Sequence, residues 1–264
     1  MNQVVIVTGG SSGIGLAMAR AFRAAGCTVY ELSRRDVQHR DGVVHISADV
    51  TQEQTVLEAI RHVADREGRV DILCCNAGFG ISGAAEFTDN RDAKRLLEVN
   101  LFGMVNCVKA VLPIMRSQHG GKILCTSSVA AVVPIPFQAW YSVSKAAVSA
   151  YAAALQGEVR PFGIQVTAIL PGDIATGFTG SREKSPVGDD TYGGRISRSV
   201  SVMERDEQTG MRPEAAAKTI VRIAQKRRLK PSYAIGITYK GAVLLNRLLP
   251  QRIVSRIVGR IYAK

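Results

Sequence analysis

Tyr141 and Lys145 are the residues in this 264-residue chain best placed to move a proton. They sit in Tyr141-Ser142-Val143-Ser144-Lys145, within an alanine-rich stretch from Gln138 to Val159 that reads as a helix. A spacing of four puts both side chains on one helical face, one turn apart. A free tyrosine, with a pKa of ~10, is a poor base at neutral pH. A nearby ammonium stabilises the phenolate and makes proton transfer accessible. Tyr-x-x-x-Lys is common by chance, so its meaning depends on its surroundings. Ser128 lies thirteen residues upstream, just past an expected strand. Ser127 is its rival.

The second chemical signal opens the chain. Thr8-Gly9-Gly10-Ser11-Ser12-Gly13-Ile14-Gly15 follows an apolar run and enters a helical pattern. Gly9 allows a tight turn, Gly13 lets backbone approach a pyrophosphate, and Gly15 permits close helix packing. The free N–H groups and the helix dipole then favour phosphate. The next strand ends in Glu31-Leu32-Ser33-Arg34-Arg35. A carboxylate in this slot would bind a ribose 2′-hydroxyl; here the slot falls on Ser33, followed by two arginines. Guanidinium suits a 2′-phosphate, so the reading is an NADP(H) site with Arg34 as the chief contact and Arg35 beside it. The alternative is a solvated basic turn.

Elements must hold these groups together. Apolar runs at Val4–Val7, Thr28–Leu32, Val43–Ser47, Val70–Cys74, Gly121–Thr126 and Ile164–Leu170 predict six strands. They alternate with helical patterns at Ile14–Ala25, from Thr51 as cap to about Glu67, from about Arg91, from Leu101 to Gln118, and from Gln138 to Val159. That alternation implies parallel pairing with right-handed crossovers. The strands are continuously apolar, as expected when both faces are covered. The predicted fold is α/β: a doubly wound parallel sheet of Rossmann type, in a single domain over 1–264 with a C-terminal helical extension. Residues 177–210, rich in glycine and polar residues, break the rhythm and read as a substrate lid.

With these motifs in this order, the chain resembles the short-chain dehydrogenases/reductases over about residues 3 to 176, and more loosely to its end. The ordered set is Thr8–Gly15, Asp49 after the third strand, Asn76-Ala77-Gly78 after the fourth, Asn100, Ser128, Tyr141, Lys145, Pro171-Gly172 and Thr176. Cys75 stands where the family often has a second asparagine. The resemblance implies that Tyr141 gives a proton to a ketone oxygen or takes one from an alcohol. Lys145 tunes Tyr141 and holds the nicotinamide ribose. Ser128, favoured over Ser127 by its spacing, bonds the substrate oxygen, and Asn100 holds a relaying water. It also implies cofactor contacts from Gly9, Ser11, Ser12, Gly13, Ile14, Gly15, Ser33, Arg34, Arg35, Asp49, Val50, Asn76, Ala77, Gly78, Pro171, Gly172, Ile174 and Thr176, with no metal.

Composition bounds the rest. Five cysteines without metal-ligand spacing read as reduced core residues of a cytosolic protein. MNQVVIVTGG reads as a strand and turn, so no signal peptide is expected, and no apolar run reaches the roughly eighteen residues of a membrane span. Val132–Phe137, Trp140, Phe79, Phe178, Tyr192, Met203 and Met211 suggest an apolar pocket for a steroid-, retinoid- or acyl-like carbonyl or alcohol. Packing of the lid or of a subunit interface is the other reading.

The net charge of +12 comes entirely from the twelve cations beyond Glu214, the last acidic residue. In the basic amphipathic segment 238–264, Ile253, Val254, Ile257, Val258 and Ile261 form an apolar stripe beside Arg252, Arg256, Arg260 and Lys264. Such a stripe packs on the protein or on a second subunit of a homodimer or homotetramer, or it lies peripherally on a membrane; packing is the commoner use. The segment has no nucleic-acid motif. A non-catalytic NADP-binding sensor or scaffold on the same fold is the competing functional class.

Overall fold

The computed structural model describes residues 2–37 and 41–263; Lys264 of the cationic stripe lies outside them. The strands are β1 (Val4–Thr8), β2 (Thr28–Ser33), β3 (Val44–Ser47), β4 (Ile72–Cys75), β5 (Ile81–Ser82), β6 (Gly121–Thr126), β7 (Ile164–Pro171), β8 (Glu183–Lys184) and β9 (Ser232–Ile235). Seven of them form one parallel sheet in the order β3-β2-β1-β4-β6-β7-β9, while β5 and β8 form a small separate pair. The chain order reverses between β1 and β4. In doubly wound folds, that switch point opens the ligand crevice at the carboxyl ends of the strands.

Helices cover both faces. They are α1 (Gly13–Ala24), α2 (Glu53–Glu67), α3 (Asn90–Leu97), α4 (Gly103–Ser117), α5 (Ala139–Val159), α6 (Phe178–Ser181), α7 (Arg195–Gln208), α8 (Pro213–Ala224), α9 (Ile237–Leu248) and α10 (Gln251–Tyr262). On one face, Ile60, Val63, Cys107, Val111, Met115, Val148 and Leu155 pack with Val4, Ile6, Leu73 and Val166. On the other, Met18, Phe22, Ala216, Ala217 and Ile220 pack with Val5, Val7, Ile72 and Leu124. Successive residues of β1 thus serve opposite cores, which is why the strand is apolar throughout. All five cysteines are buried and free.

Several expectations change. A seventh sheet strand, β9, lies beyond the six predicted; it is only four residues long and follows a basic turn, so it left no apolar run to read. Thr51 does not cap α2, whose first flanking residue is Gln52. Instead its hydroxyl and its N–H both donate to Asp49 Oδ1. The two helices expected near Arg91 and Leu101 form one run from Asn90 to Ser117, joined by a π turn at Glu98–Phe102. By length and composition this run could cross a membrane, contrary to the expectation that none would. Here Leu96, Met104, Val108 and Met115 bury its inner side in the core. Residues 177–210 are not irregular throughout: α7 spans fourteen of them. The Asp189 carboxylate accepts from the N–H groups of Ile196 and Ser197 at its start.

Gly15 is a tight point of this framework, closed in by backbone. A Cβ there would lie 2.2 Å from Gly9 O and 2.6 Å from Asn76 Nδ2. Gly15→Ala is expected to destabilise by about 1–3 kcal/mol, lowering the midpoint by roughly 2–4 °C per kcal/mol in a chain of this size. Thermal unfolding of the cofactor-free protein checks it.

Candidate active site

The site begins at the β1–α1 turn. Gly9 and Gly13 both have positive φ, +66° and +56°, the left-handed region open to glycine. Ser12 flanks α1 without a side-chain capping bond, and the first turn carries no acidic residue. The helix N-terminus is therefore open to an anion. Arg35 reaches back from the end of β2 and donates to Ser11 Oγ and Ser12 Oγ at 3.0 and 2.9 Å. Arg34 lies exposed on the same cavity. Ser33 is buried, with its hydroxyl 3.3 Å from both Glu31 Oε1 and Arg35 O.

Glu31 was not singled out from sequence. Its carboxylate is fully buried beneath the turn against His45 Nδ1, and a Cβ on Gly10 would lie 2.5 Å from Glu31 Cβ. β2 thus keeps a carboxylate, but one outside the cavity lining, where Ser33 and the two arginines stand instead.

The switch point is closed by short polar clamps. Thr8 Oγ1 accepts from the N–H groups of Asn76 and Ala77 at 2.9 and 3.0 Å, and Asn76 Nδ2 donates to Thr8 O. Asn100, buried in the π turn, donates to Phe79 O and Ser144 Oγ, and its Oδ1 accepts from Phe79 N at 3.0 Å. A Cβ on Gly78 would meet Asn100 Oδ1 at 2.9 Å. The Asn100 side chain, expected to hold a water, is engaged in bracing the 76–79 loop. Inserted π turns commonly mark such functional positions.

Lys145 enters from α5. It is 5% exposed; its Nζ donates to Thr126 O at 2.9 Å and lies 5.7 Å from the Tyr141 ring centroid. Burial lowers its pKa to about 8. Burial likewise pushes Tyr141 up to about 12, against the Ser128 hydroxyl and Arg182, which pull it down; Glu207 and Asp173 add to the rise. The two serines separate by contact. Ser127 Oγ is taken up by Lys145 O and Ser149 Oγ, both at 2.7 Å. Ser128, beside Tyr141, accepts only from Ala130 N among the described hydrogen bonds.

One cavity of about 970 Å³ runs from the glycine turn past Tyr141 to the C-terminal helices. That is the size of a site for a large ligand. Every expected contact lines it except Gly15 and Asn100, which pack behind the wall. Asp49, Val50, Pro171, Gly172, Ile174 and Thr176 line the same cavity as Arg34 and Lys145. Phe79, Val133, Ile135, Phe178 and Met203 give the apolar lining. Trp140, Tyr192 and Met211 do not line it. Tyr192 instead packs edge-on to Phe137 and Phe87, and Met211 packs on the second core.

Sequence reasoning also missed the far wall. Tyr239 of α9 packs so closely on Gly172 that a Cβ there would lie 2.1 Å from its ring, and its hydroxyl donates to Asp173. Tyr262 of α10 donates to Asp206 at 3.2 Å. Buried Arg182 pairs with Glu207 beside the Phe178 ring. Asp173, directly after Pro171-Gly172, carried the one signal that position in the chain could give.

Comparison with known proteins agrees with this geometry. The model of the short chain dehydrogenase family matches residues 3–186. A 3-ketodihydrosphingosine reductase of Bacteroides thetaiotaomicron is 37% identical over 227 residues, covering 85% of this chain and 84% of the relative. A crystal structure of a short-chain dehydrogenase from Streptomyces avermitilis superposes with a TM-score of 0.81 at 30% identity, over 97% of this chain and 98% of that one. A Burkholderia phymatum short-chain dehydrogenase/reductase in complex with NAD shares the fold, with a TM-score of 0.80 at 21% identity over 92% of each chain. The chain belongs to the short-chain dehydrogenase/reductase family and is a Rossmann-type oxidoreductase.

Proposed function

We propose that the protein is an NADPH-dependent reductase of bulky hydrophobic ketones, with Tyr141 as the proton donor. One observation carries this reading: Tyr141, Lys145 and Ser128 line the same cavity as the glycine turn with Arg34 and Arg35 and as the apolar Phe79, Val133, Ile135, Phe178 and Met203. The cradle fits a 2′-phosphorylated dinucleotide: the uncapped N-terminus of α1 suits the pyrophosphate, and two arginines with no carboxylate in the lining at the end of β2 suit the 2′-phosphate. When bound, NADPH supplies the hydride that the carbonyl carbon accepts. The protein's own groups do the rest. Ser128 hydrogen-bonds the carbonyl oxygen as it gains charge. Tyr141 gives that oxygen its proton. The Lys145 ammonium lowers the cost of the phenolate left behind. Tyr141 is protonated at neutral pH and so holds the proton that reduction needs.

The substrate class follows from the chamber. Phe79, Val133, Ile135, Phe178 and Met203 offer few partners to a sugar and a long apolar wall to a lipid chain. The Bacteroides relative is named for a ketone of that kind. Half-exposed Phe102 and Val143, on the outer side of the π turn and α5, support a homo-oligomer.

Initial rates with NADPH and NADH across a carbonyl library test the reading. Turnover of long-chain ketones with NADPH is expected, and turnover confined to sugars would reject it. Arg34→Glu is expected to raise the KM for NADPH by roughly 10–100-fold, as for a lost charge-assisted hydrogen bond, with kcat little changed. Arg35→Ala should follow the same direction, since it removes the second guanidinium from the cavity lining.

Lys145 gives a further expectation with a definite sign. Its pKa falls from 10.5 unfolded to about 8 folded, so the unfolded chain binds the extra proton between those values. Stability contributed by this group therefore rises with pH over that window, by about 3 kcal/mol in all. Lys145→Met should abolish the rise and raise the unfolding midpoint at pH 7. Paired thermal melts of parent and variant across this pH range, without cofactor, measure it.

A further inference from the structure

The C-terminal helices hold residues that the cavity alone does not explain. The apolar stripe of α10 is split: Val254 and Val258 are buried, while Ile253, Ile257 and Ile261 are about half exposed. On α9, Ile237 is 89% and Leu248 71% exposed, with Leu244 and Leu245 more than half exposed. Leu245, Ile257 and Ile261 also line the catalytic cavity, so they stand at its mouth. Lys240, Arg247, Arg252, Arg256 and Arg260 are exposed on the same two helices, and none joins an ion pair among the described residues. No acidic residue follows Glu214.

We infer that α9 and α10 form a docking surface for an anionic lipid bilayer, set around the cavity mouth so that a hydrophobic ketone passes from the membrane to Tyr141 without crossing water. The inference rests on the hydrophobic-ketone reading of the site. Exposed leucines and isoleucines sink into the acyl boundary, while the arginines and lysine stay at headgroup level. Charge selects the occupant. A second copy of this chain, docked isologously, would set one all-cationic face against another, and like charges brought together at an interface oppose association. Lipid phosphates and carboxylates complement the same charges. The pair is also anchored in the orientation the role requires: Tyr239 on Gly172 and Asp173, and Tyr262 on Asp206, hold its inner side to the body.

Co-sedimentation of the full chain with vesicles tests the surface, using phosphatidylcholine alone and an equimolar mixture with phosphatidylserine. The parent is expected to bind the mixed vesicles and to bind phosphatidylcholine far less. Taking about fivefold per basic residue at an anionic surface, Arg252→Glu/Arg256→Glu should weaken binding by at least ~30-fold. Leu244→Glu/Leu248→Glu, which lies outside the cavity, should abolish it. Both double variants should turn over cyclohexanone as the parent does, which also shows them folded, but lose turnover of 3-ketodihydrosphingosine presented in the mixed vesicles. Failure of the parent to bind mixed vesicles, undiminished binding by either variant, or a change of oligomeric state caused by these substitutions would overturn the inference. Vesicle binding without turnover of either ketone supports the docking surface and counts against the reductase reading.

Discussion

A buried ammonium organises this molecule. Lys145 sits in the interior, held by the Thr126 carbonyl at the end of β6 and packed near the Tyr141 ring. Burying a charge with so few partners is costly, and the rest of the site supplies the positions that make it tolerable and useful. The parallel sheet delivers the Thr126 carbonyl. Helix α5 fixes lysine and tyrosine one turn apart. Ser127, spent on the backbone of Lys145 and on Ser149, ties β6 to α5 and leaves Ser128 facing the cavity. The same desolvation that lowers the lysine raises the tyrosine. Groups pushed apart in this way can divide the work of proton transfer and charge support.

Much of this was legible in the residues, for physical reasons. Strands covered on both faces are mostly apolar, and six of the seven could be read from such runs despite Glu31 in β2, His45 in β3 and Lys122 in β6. The phosphate turn needs positive φ at Gly9 and Gly13, so glycines announced it. Tyr141 and Lys145 share a helix, so spacing alone placed them together. What stayed hidden depends on contacts between distant segments. Nothing local marks β9, Glu31 looks like any strand carboxylate until His45 and Gly10 are seen around it, and Tyr239 gains meaning only by lying on Gly172. The π turn was read as a break between two helices, because one inserted residue shifts the periodicity without ending the helix.

The C-terminal stripe shows the same limit. Periodicity marked Ile253, Val254, Ile257, Val258 and Ile261 as apolar, yet could not separate packing from exposure. The structure assigns both: the valines turn inward and the isoleucines outward or to the cavity mouth. One helix therefore closes the chamber and presents a surface. Five of the twelve cations that set this end apart in the sequence, Lys240, Arg247, Arg252, Arg256 and Arg260, lie on these two helices.

In the proposed reduction, Tyr141 protonates a ketone as the hydride arrives. Mass spectrometry of the alcohol formed from a long-chain ketone and NADPH deuterated on the transferring face of C4 tests it directly. One deuterium is expected at the carbinol carbon with the parent enzyme. Almost none is expected with Tyr141→Phe, whose NADPH affinity should be retained. Equal deuterium transfer by Tyr141→Phe would contradict it.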